Sequence, residues 1–177
     1  MKKRYSDGFI QSSGGFTLIE LMVVIMILSI AALVAVPMLG SSADVQARSA
    51  ASTLAADLDY ARGLAVTHQE NIMVVFSPST ESYSIRDSAG AVVAHPLGTG
   101  DFTMDFTAEP RLSKVDMVSS NFDGETTLTF DYLGAPYSGA VGSCTAMNTG
   151  RITLQADTFT MYVDVEPVTG YITITQP

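Results

Sequence analysis

Side chains capable of chemistry are few and scattered in this chain of 177 residues. The two histidines, His68 and His95, fall in different predicted elements and lack the spacing of metal ligands. The sequence contains no phosphate-binding glycine loop, dinucleotide-binding fingerprint, nucleophile elbow, zinc-protease helix motif or pair of cysteines. We therefore expect no enzyme, no cofactor and no metal ion.

The remaining reactive groups have ordinary explanations. Asp123, Glu125 and Asp131 could be imagined as a cation site, but their spacing does not fit an EF-hand loop, and acids in exposed turns explain them better. Cys144 is the single cysteine, so no disulfide can form within the chain, and we interpret it as an ordinary loop residue.

One carboxylate has an unusual position. Glu20 precedes an apolar run from Leu21 to Leu39, which as a helix would be roughly 28 Å long, close to the thickness of a bilayer's hydrocarbon core. A charged side chain in hydrocarbon costs about 2.5–3.5 kcal/mol on insertion scales. An apolar anchor has no need of this carboxylate, so we expect Glu20 to have a partner.

The residues around Glu20 carry a family resemblance. The stretch from Gly15 to Glu20, GFTLIE, follows a short leader with Lys2, Lys3 and Arg4 and resembles the class III signal of type IV pilins and type II secretion pseudopilins. The resemblance implies that a prepilin peptidase cuts between Gly15 and Phe16 and that Phe16 is N-methylated. It also implies that Pro37 kinks the helix. The order of segments agrees, because a secretory signal would place its cleavage site after the apolar run.

Cleavage at this position would create a partner for Glu20. The new α-amino group of Phe16 would be largely cationic at neutral pH, since such amines have a pKa of about 7.7–8.0. At about 4 Å and an effective dielectric constant near 20, the pair would attract by roughly 4 kcal/mol before desolvation is subtracted. We expect Glu20 of one subunit to pair with the Phe16 amine of a neighbour, and a pair within one chain is the alternative.

The charge distribution predicts the topology. Removal of the leader takes the net charge from −9 to −11 and leaves six scattered bases, so nucleic acid is not an expected partner. The three leader bases favour a cytoplasmic N-terminus and an outward-facing C-terminal domain. We expect a single-pass protein of the bacterial inner membrane, with its domain in the periplasm, that later enters a filament.

A second helix is predicted behind the apolar run. An apolar stripe recurs at steps of three and four residues from Asp44 onward, which is typical of an amphipathic helix. The stripe consists of Ala47, Ala51, Leu54, Leu58, Ala61 and Ala65. It could bind a partner helix, but its alanines favour packing on the chain's own C-terminal domain. We predict four segments: a leader (1–15), a transmembrane and assembly helix (16–39), its amphipathic continuation (40–70) and a β-rich globular domain (71–177).

Alternating and β-branched residues predict strands from Ile72 on. The predicted strands are Ile72–Phe76, Tyr83–Arg86, Ala91–Ala94, Phe102–Phe106, Thr126–Leu133, Arg151–Gln155, Phe159–Val165 and Tyr171–Thr175. The stretch from Gly134 to Gly150 is predicted to be a long mobile loop. The fold class is therefore α+β, with a long pilin-type N-terminal helix packed on an antiparallel two-sheet β domain.

The helix pattern and strand order from Asp44 onward resemble the globular part of H-type minor pseudopilins, the GspH/FimT family. The resemblance implies a structural subunit of a type II secretion pseudopilus. Its implied partners are other pseudopilins, prepilin peptidase, the inner-membrane assembly platform and, before assembly, membrane lipid. Two alternatives remain open: a minor type IV pilin, FimT-like, that serves pilus biogenesis or DNA uptake, and a membrane-anchored periplasmic enzyme or sensor.

Overall fold

The computed structural model describes residues 15–35, 42–96, 98 and 100–177. It divides into two compact units, residues 1–40 and 41–177, which we describe separately. The predicted kink at Pro37 and the leader residues before Gly15 lie outside the described residues.

The described part of the first unit is a single helix, α1 (Leu18–Ala35), preceded by three residues without regular secondary structure. Large aliphatic side chains cover every side of α1, and they are exposed from Leu18 through Ile30. A helix that is apolar all round requires lipid or another apolar surface around it. Among the residues that the structure describes, no helix combines the length and the apolar content needed to span a membrane.

The second unit is a helix packed on two antiparallel sheets, as the sequence predicted. Helix α2 (Ser42–His68) packs on strands of both sheets. The six residues of the predicted stripe are all fully buried. Since four of the six are alanines, the helix backbone can approach the sheets closely. The interpretation of the stripe as an internal packing surface is confirmed.

The described residues form ten strands. In chain order they are β1 (Ile72–Ser77), β2 (Ser82–Arg86), β3 (Thr103–Asp105), β4 (Asp116–Phe122), β5 (Thr127–Phe130), β6 (Pro136–Ser138), β7 (Thr145–Ala146), β8 (Gly150–Ala156), β9 (Phe159–Val165) and β10 (Ile172–Thr175). One sheet has the order β3-β2-β1-β5-β6-β7 and the other the order β10-β9-β8-β4. Phe76 of β1 lies against Tyr83 of the same sheet and against Phe122 of the other sheet, with ring centroids 5.7 and 5.4 Å apart, so the contact between Phe76 and Phe122 connects the two layers.

Three strand predictions need correction, and one strand of the smaller sheet was not predicted. The segment Ala91–Ala94 makes only isolated bridges through Val92 and Ala94. The strand predicted for Thr126–Leu133 ends at Phe130, because the Asp131 carboxylate accepts the amides of Leu133 and Ala135 and turns the chain. The strand predicted for Phe102–Phe106 is shorter, since Asp105 accepts the amide of Thr107 in the same way. Strand β4 was missed altogether.

The prediction of one long loop from Gly134 to Gly150 is also wrong. This segment contains β6 and β7, and β6 pairs with β5 at the edge of the larger sheet. Asp123, which precedes the segment in the chain, also holds it in place through hydrogen bonds. Its carboxylate accepts the amides of Asn148 and Thr149 at 2.8 and 2.9 Å and the hydroxyl of Ser138 at 3.0 Å.

Candidate functional site

The predicted site residues of the N-terminal segment come together at the start of α1. Thr17 is the residue before the helix, and its hydroxyl accepts the Glu20 amide at 3.2 Å while its carbonyl accepts the Leu21 amide at 3.1 Å. The hydroxyl therefore satisfies one of the amides that a helix start leaves without an internal partner. Thr17 and Glu20 have the three-residue spacing of a capping box.

Glu20 lies in the first turn of α1 and is exposed. A carboxylate is favourable there because the amides of the first turn carry partial positive charge. No cation is within ion-pair distance of Glu20 in the described part of the chain. The charge is therefore available to an external partner.

Gly15 and Phe16 precede the helix and are accessible. The side chain of Phe16 is 82% exposed. A Cβ atom added at Gly15 would meet no atom within 4 Å, so packing within the described chain does not require a glycine at this position.

Sequence reasoning missed the role of Thr17 as the helix cap. The signal was present, because a threonine three residues before a glutamate at the head of an apolar run is a helix-start pattern. It was read only as part of the family motif.

Two of the acids considered for cation binding, Asp123 and Asp131, accept hydrogen bonds that hold nearby segments of the chain. The pKa of Asp123 is lowered to about 2 by hydrogen bonds from the Asn148 amide, the Thr149 hydroxyl, the Ser138 hydroxyl and the Thr149 amide, of which the Asn148 amide contributes most. Within the described residues, no three histidine, cysteine or acidic side chains are placed to hold a metal ion.

A second polar contact missed by sequence reasoning connects α2 to the larger sheet. The hydroxyl of Tyr83 in β2 donates to the Asp57 carboxylate in α2 at 2.6 Å. Burial raises the pKa of Asp57, an effect that the Tyr83 hydrogen bond and the nearby His95 partly offset. Burial, together with the adjacent Asp57 charge, raises the pKa of Tyr83 well above its usual value. The pair therefore forms a part-buried brace between α2 and the larger sheet.

A depression of about 430 Å³ on the smaller sheet contains Arg151. Its guanidinium binds Asp164 in a bidentate manner at 2.6 and 3.1 Å and also lies 4.5 Å from the centre of the Tyr162 ring. This arginine is already neutralised, so the depression is not an anion site.

Comparison with known proteins adds the family. The prokaryotic N-terminal methylation motif matches residues 10–36, and the model of the type II transport protein GspH matches residues 50–169, about two thirds of the chain. No curated protein sequence matches the chain.

Two solved structures are similar in fold. One is the minor pseudopilin EpsH from the type 2 secretion system of Vibrio cholerae, with a TM-score of 0.53 and 8% identity over 75% of this chain and 98% of that chain. The other is the type IV minor pilin FimU of Pseudomonas aeruginosa, with a TM-score of 0.46 and 20% identity over 72% of this chain and 91% of that chain.

Proposed function

This chain belongs to the family of the type II transport protein GspH, and from that premise we propose that it is a minor pseudopilin incorporated in the pseudopilus of a type II secretion system. The observation that carries the proposal is Glu20, a carboxylate with no ion-pair partner among the described residues, in the first turn of an apolar helix directly behind Gly15 and Phe16. Its role is structural rather than catalytic.

Prepilin peptidase removes the leader between Gly15 and Phe16, and Phe16 is then N-methylated. The match to the N-terminal methylation motif supports this step. The empty space around Gly15 supports it independently, because a glycine that the fold does not need can be selected by a peptidase that approaches the backbone closely.

Glu20 pairs with the Phe16 amine of a neighbouring subunit. The alternative is a pair within one chain, since the two residues are four positions apart. In the structure Phe16 lies before the helix, and Thr17 occupies the capping position between the two residues. The carboxylate of Glu20 is exposed at this helix start, where a neighbouring subunit can reach it.

Before assembly the protein is anchored once in the bacterial inner membrane, with its N-terminus in the cytoplasm and its C-terminal domain in the periplasm. The span proposed for this anchor, Leu21 to Leu39, continues beyond the last described residue of α1. Its partners are lipid, prepilin peptidase, the assembly platform and the other pseudopilins. The excess of acidic groups opposes binding to nucleic acid.

The first experiment combines processing and assembly. Mass spectrometry of the purified mature protein should find N-methyl-phenylalanine at Phe16. The variant Glu20→Leu should be inserted and processed normally but should be absent from sheared filaments. Ser29→Ala is the matched control, because it removes another polar side chain of α1, one that donates only to the Ile25 carbonyl within the helix, without changing the charge. Incorporation of Glu20→Leu at the wild-type level would contradict the role given to Glu20.

A second experiment identifies the machine. Deletion of the gene should abolish type II secretion and leave surface pili and DNA uptake intact. Loss of pili or DNA uptake with normal secretion would instead identify a minor type IV pilin.

A further inference from the structure

Three segments of the second unit meet at the C-terminal end of α2. Gly134 lies in the turn after β5 and Gly170 in the turn between β9 and β10, both buried and with positive φ of 82° and 63°. The Gly134 carbonyl accepts Arg62 Nε at 3.1 Å. A Cβ at Gly170 would lie 2.8 Å from that carbonyl oxygen, and a Cβ at Gly134 would lie 3.2 Å from Val66. The two turns are therefore in direct backbone contact, and the side chains of Arg62 and Val66 from α2 pack against them.

The side chains around this junction are apolar and exposed. Val168 and Leu133, one on each turn, are 81% and 68% exposed, and Tyr171 and Val66 are exposed beside them. Single exposed apolar residues are common, but a group of four on adjoining segments is typical of an interaction surface. We call these four residues together with Arg62 the end patch.

Val168 is held in a conformation that its side chain disfavours. Its φ is 68°, in the left-handed region where β-branched residues are rare. The turn is fixed on both sides, because the Glu166 amide donates to the Tyr171 carbonyl and the Gly170 amide donates to the Glu166 carbonyl. A glycine or asparagine would fit this backbone better, and Val168 buries nothing in its own domain. Strain at an exposed apolar residue points to a role outside the fold.

Arg62 supplies the charge of the end patch. It is half-buried, and its one recorded hydrogen bond uses Nε, which leaves the two terminal nitrogens for another acceptor. Among the described residues, no carboxylate lies within ion-pair distance of it, in contrast to Arg151 with its bidentate Asp164. A guanidinium beside apolar surface suits a carboxylate that arrives between apolar side chains.

We propose that the end patch docks a segment of another filament subunit that presents a carboxylate flanked by apolar residues. The carboxylate pairs with the terminal nitrogens of Arg62, and the apolar residues cover Leu133, Val168 and Tyr171. The net charge of −11 that remains after removal of the leader repels an acidic segment elsewhere, so the charge complementarity is concentrated at Arg62. This inference rests on the proposed function, because it identifies which surface of a pseudopilin contacts a second subunit.

Site-specific photo-crosslinking in cells tests the proposal on the full chain. A photoreactive amino acid is placed at Leu133, and in a parallel strain at Val118, an exposed apolar residue of β4 that serves as the matched control. A third strain carries it at Leu21 in α1. We expect a covalent product with another filament subunit from Leu133, at a yield about tenfold or more above that from Val118.

The crosslinked peptide and charge variants test the chemistry. Mass spectrometry should map the partner peptide to a stretch with Asp or Glu between apolar residues. Arg62→Glu should lower the yield from Leu133 about tenfold, as expected for the loss of a charged hydrogen-bonded pair, and Arg62→Lys should lower it less. Arg151→Glu, on the smaller sheet, should leave the yield unchanged. Arginine at the mapped acid of the partner should restore the yield with Arg62→Glu, which also shows that this variant folds.

Each other outcome overturns the end-patch proposal. A product with a second copy of this chain, a product with lipid, a partner peptide without an acid, or equal yields from Leu133 and Val118 would contradict it. The strain with the probe at Leu21 separates this failure from that of the proposed function. A product from Leu21 without one from Leu133 leaves the filament subunit intact and removes the end patch, whereas no product from either position contradicts the filament role itself.

Discussion

The two helices of this chain differ in the size of their apolar side chains and in whether those side chains are buried. Helix α1 carries leucine, isoleucine, valine and methionine on every side and buries none of those from Leu18 to Ile30 within the chain. Helix α2 carries mainly alanine on one side and buries that side fully against two sheets. Large apolar residues that pack against nothing in the described chain indicate a surface for external partners. Small apolar residues that are buried against a sheet indicate a closely packed interior. The comparison therefore separates a helix whose apolar surface is exposed from a helix that completes the interior of a domain.

The largest expected effect concerns a leucine in each helix. Leu54→Ala in α2 should lower the free energy of unfolding by about 2–5 kcal/mol, because the side chain is fully buried and its removal leaves a cavity. Leu21→Ala in α1 should leave the unfolding of the domain unchanged. Thermal denaturation of the detergent-solubilised full chain measures both effects. A similar loss of stability in the two variants would contradict the contrast between the two helices.

A second prediction tests how closely the alanine stripe of α2 packs against the two sheets. Ala61→Leu should destabilise the domain by about 1–3 kcal/mol or displace α2, since no space exists for the added atoms. Ala56→Leu, at an exposed position of the same helix, is the control and should change stability by less than about 0.5 kcal/mol. Urea titration distinguishes the two. Equal midpoints would show that the stripe is not closely packed.

A third prediction concerns the brace between α2 and the larger sheet. Tyr83→Phe should cost about 1–2 kcal/mol, because it removes the hydroxyl that satisfies the half-buried Asp57 carboxylate. The pKa of Asp57 is raised in the folded state, so ionisation of Asp57 opposes folding and stability decreases as pH rises from 3.8 toward the folded pKa. Asp57→Asn should remove this pH dependence. Chemical denaturation at several pH values is the measurement, and an unchanged pH profile in Asp57→Asn would contradict it.

The smallest expected effect is confined to the hydrogen bonds of Asp123, and its dependence on pH has the opposite sign to that of Asp57. The pKa of Asp123 is lowered to about 2, so its hydrogen bonds stabilise the native state above pH 3.8 and are lost as pH falls from 3.8 toward 2. The Asn148 and Thr149 amides should lose protection from hydrogen exchange in this range before the amides of strands β8 and β9 lose theirs. Asp123→Asn should show faster exchange at neutral pH, and full protection in that variant would exclude the carboxylate as the cause.

Local patterns in the sequence were sufficient for some elements. The α2 stripe was predictable because six residues recur at helical spacing, and β9 because Met161, Val163 and Val165 alternate with polar residues. Gly15, Phe16 and Glu20 form a recognisable motif for the same reason, since these residues lie within six positions of one another, and the chemistry assigned to them stays a prediction. Such features depend on neighbours in the chain.

Other elements depend on contacts between distant segments. Strand β4 was missed because a bulge between Met117 and Ser119 shifts its alternation and because a serine, Ser120, takes one of its buried positions. The segment at Val92 looked like a strand, but its hydrogen bonds form bridges rather than a ladder. The end patch unites residues 62, 133 and 168, and no local pattern can show that these meet. The one local hint is Val168 itself, a β-branched residue in a turn whose positive φ would favour glycine.

The hydroxyl of Thr17 has a consequence for proteolysis. Peptidases bind their substrates with an extended backbone, and a peptide bond inside a helix must first lose its hydrogen bonds. Because the helix begins only after Thr17, the bond between Gly15 and Phe16 stays outside it in the uncut precursor. Under the proposed processing, a single side chain thus marks the border between the peptide bond that the peptidase cuts and the helix that stays on the mature chain.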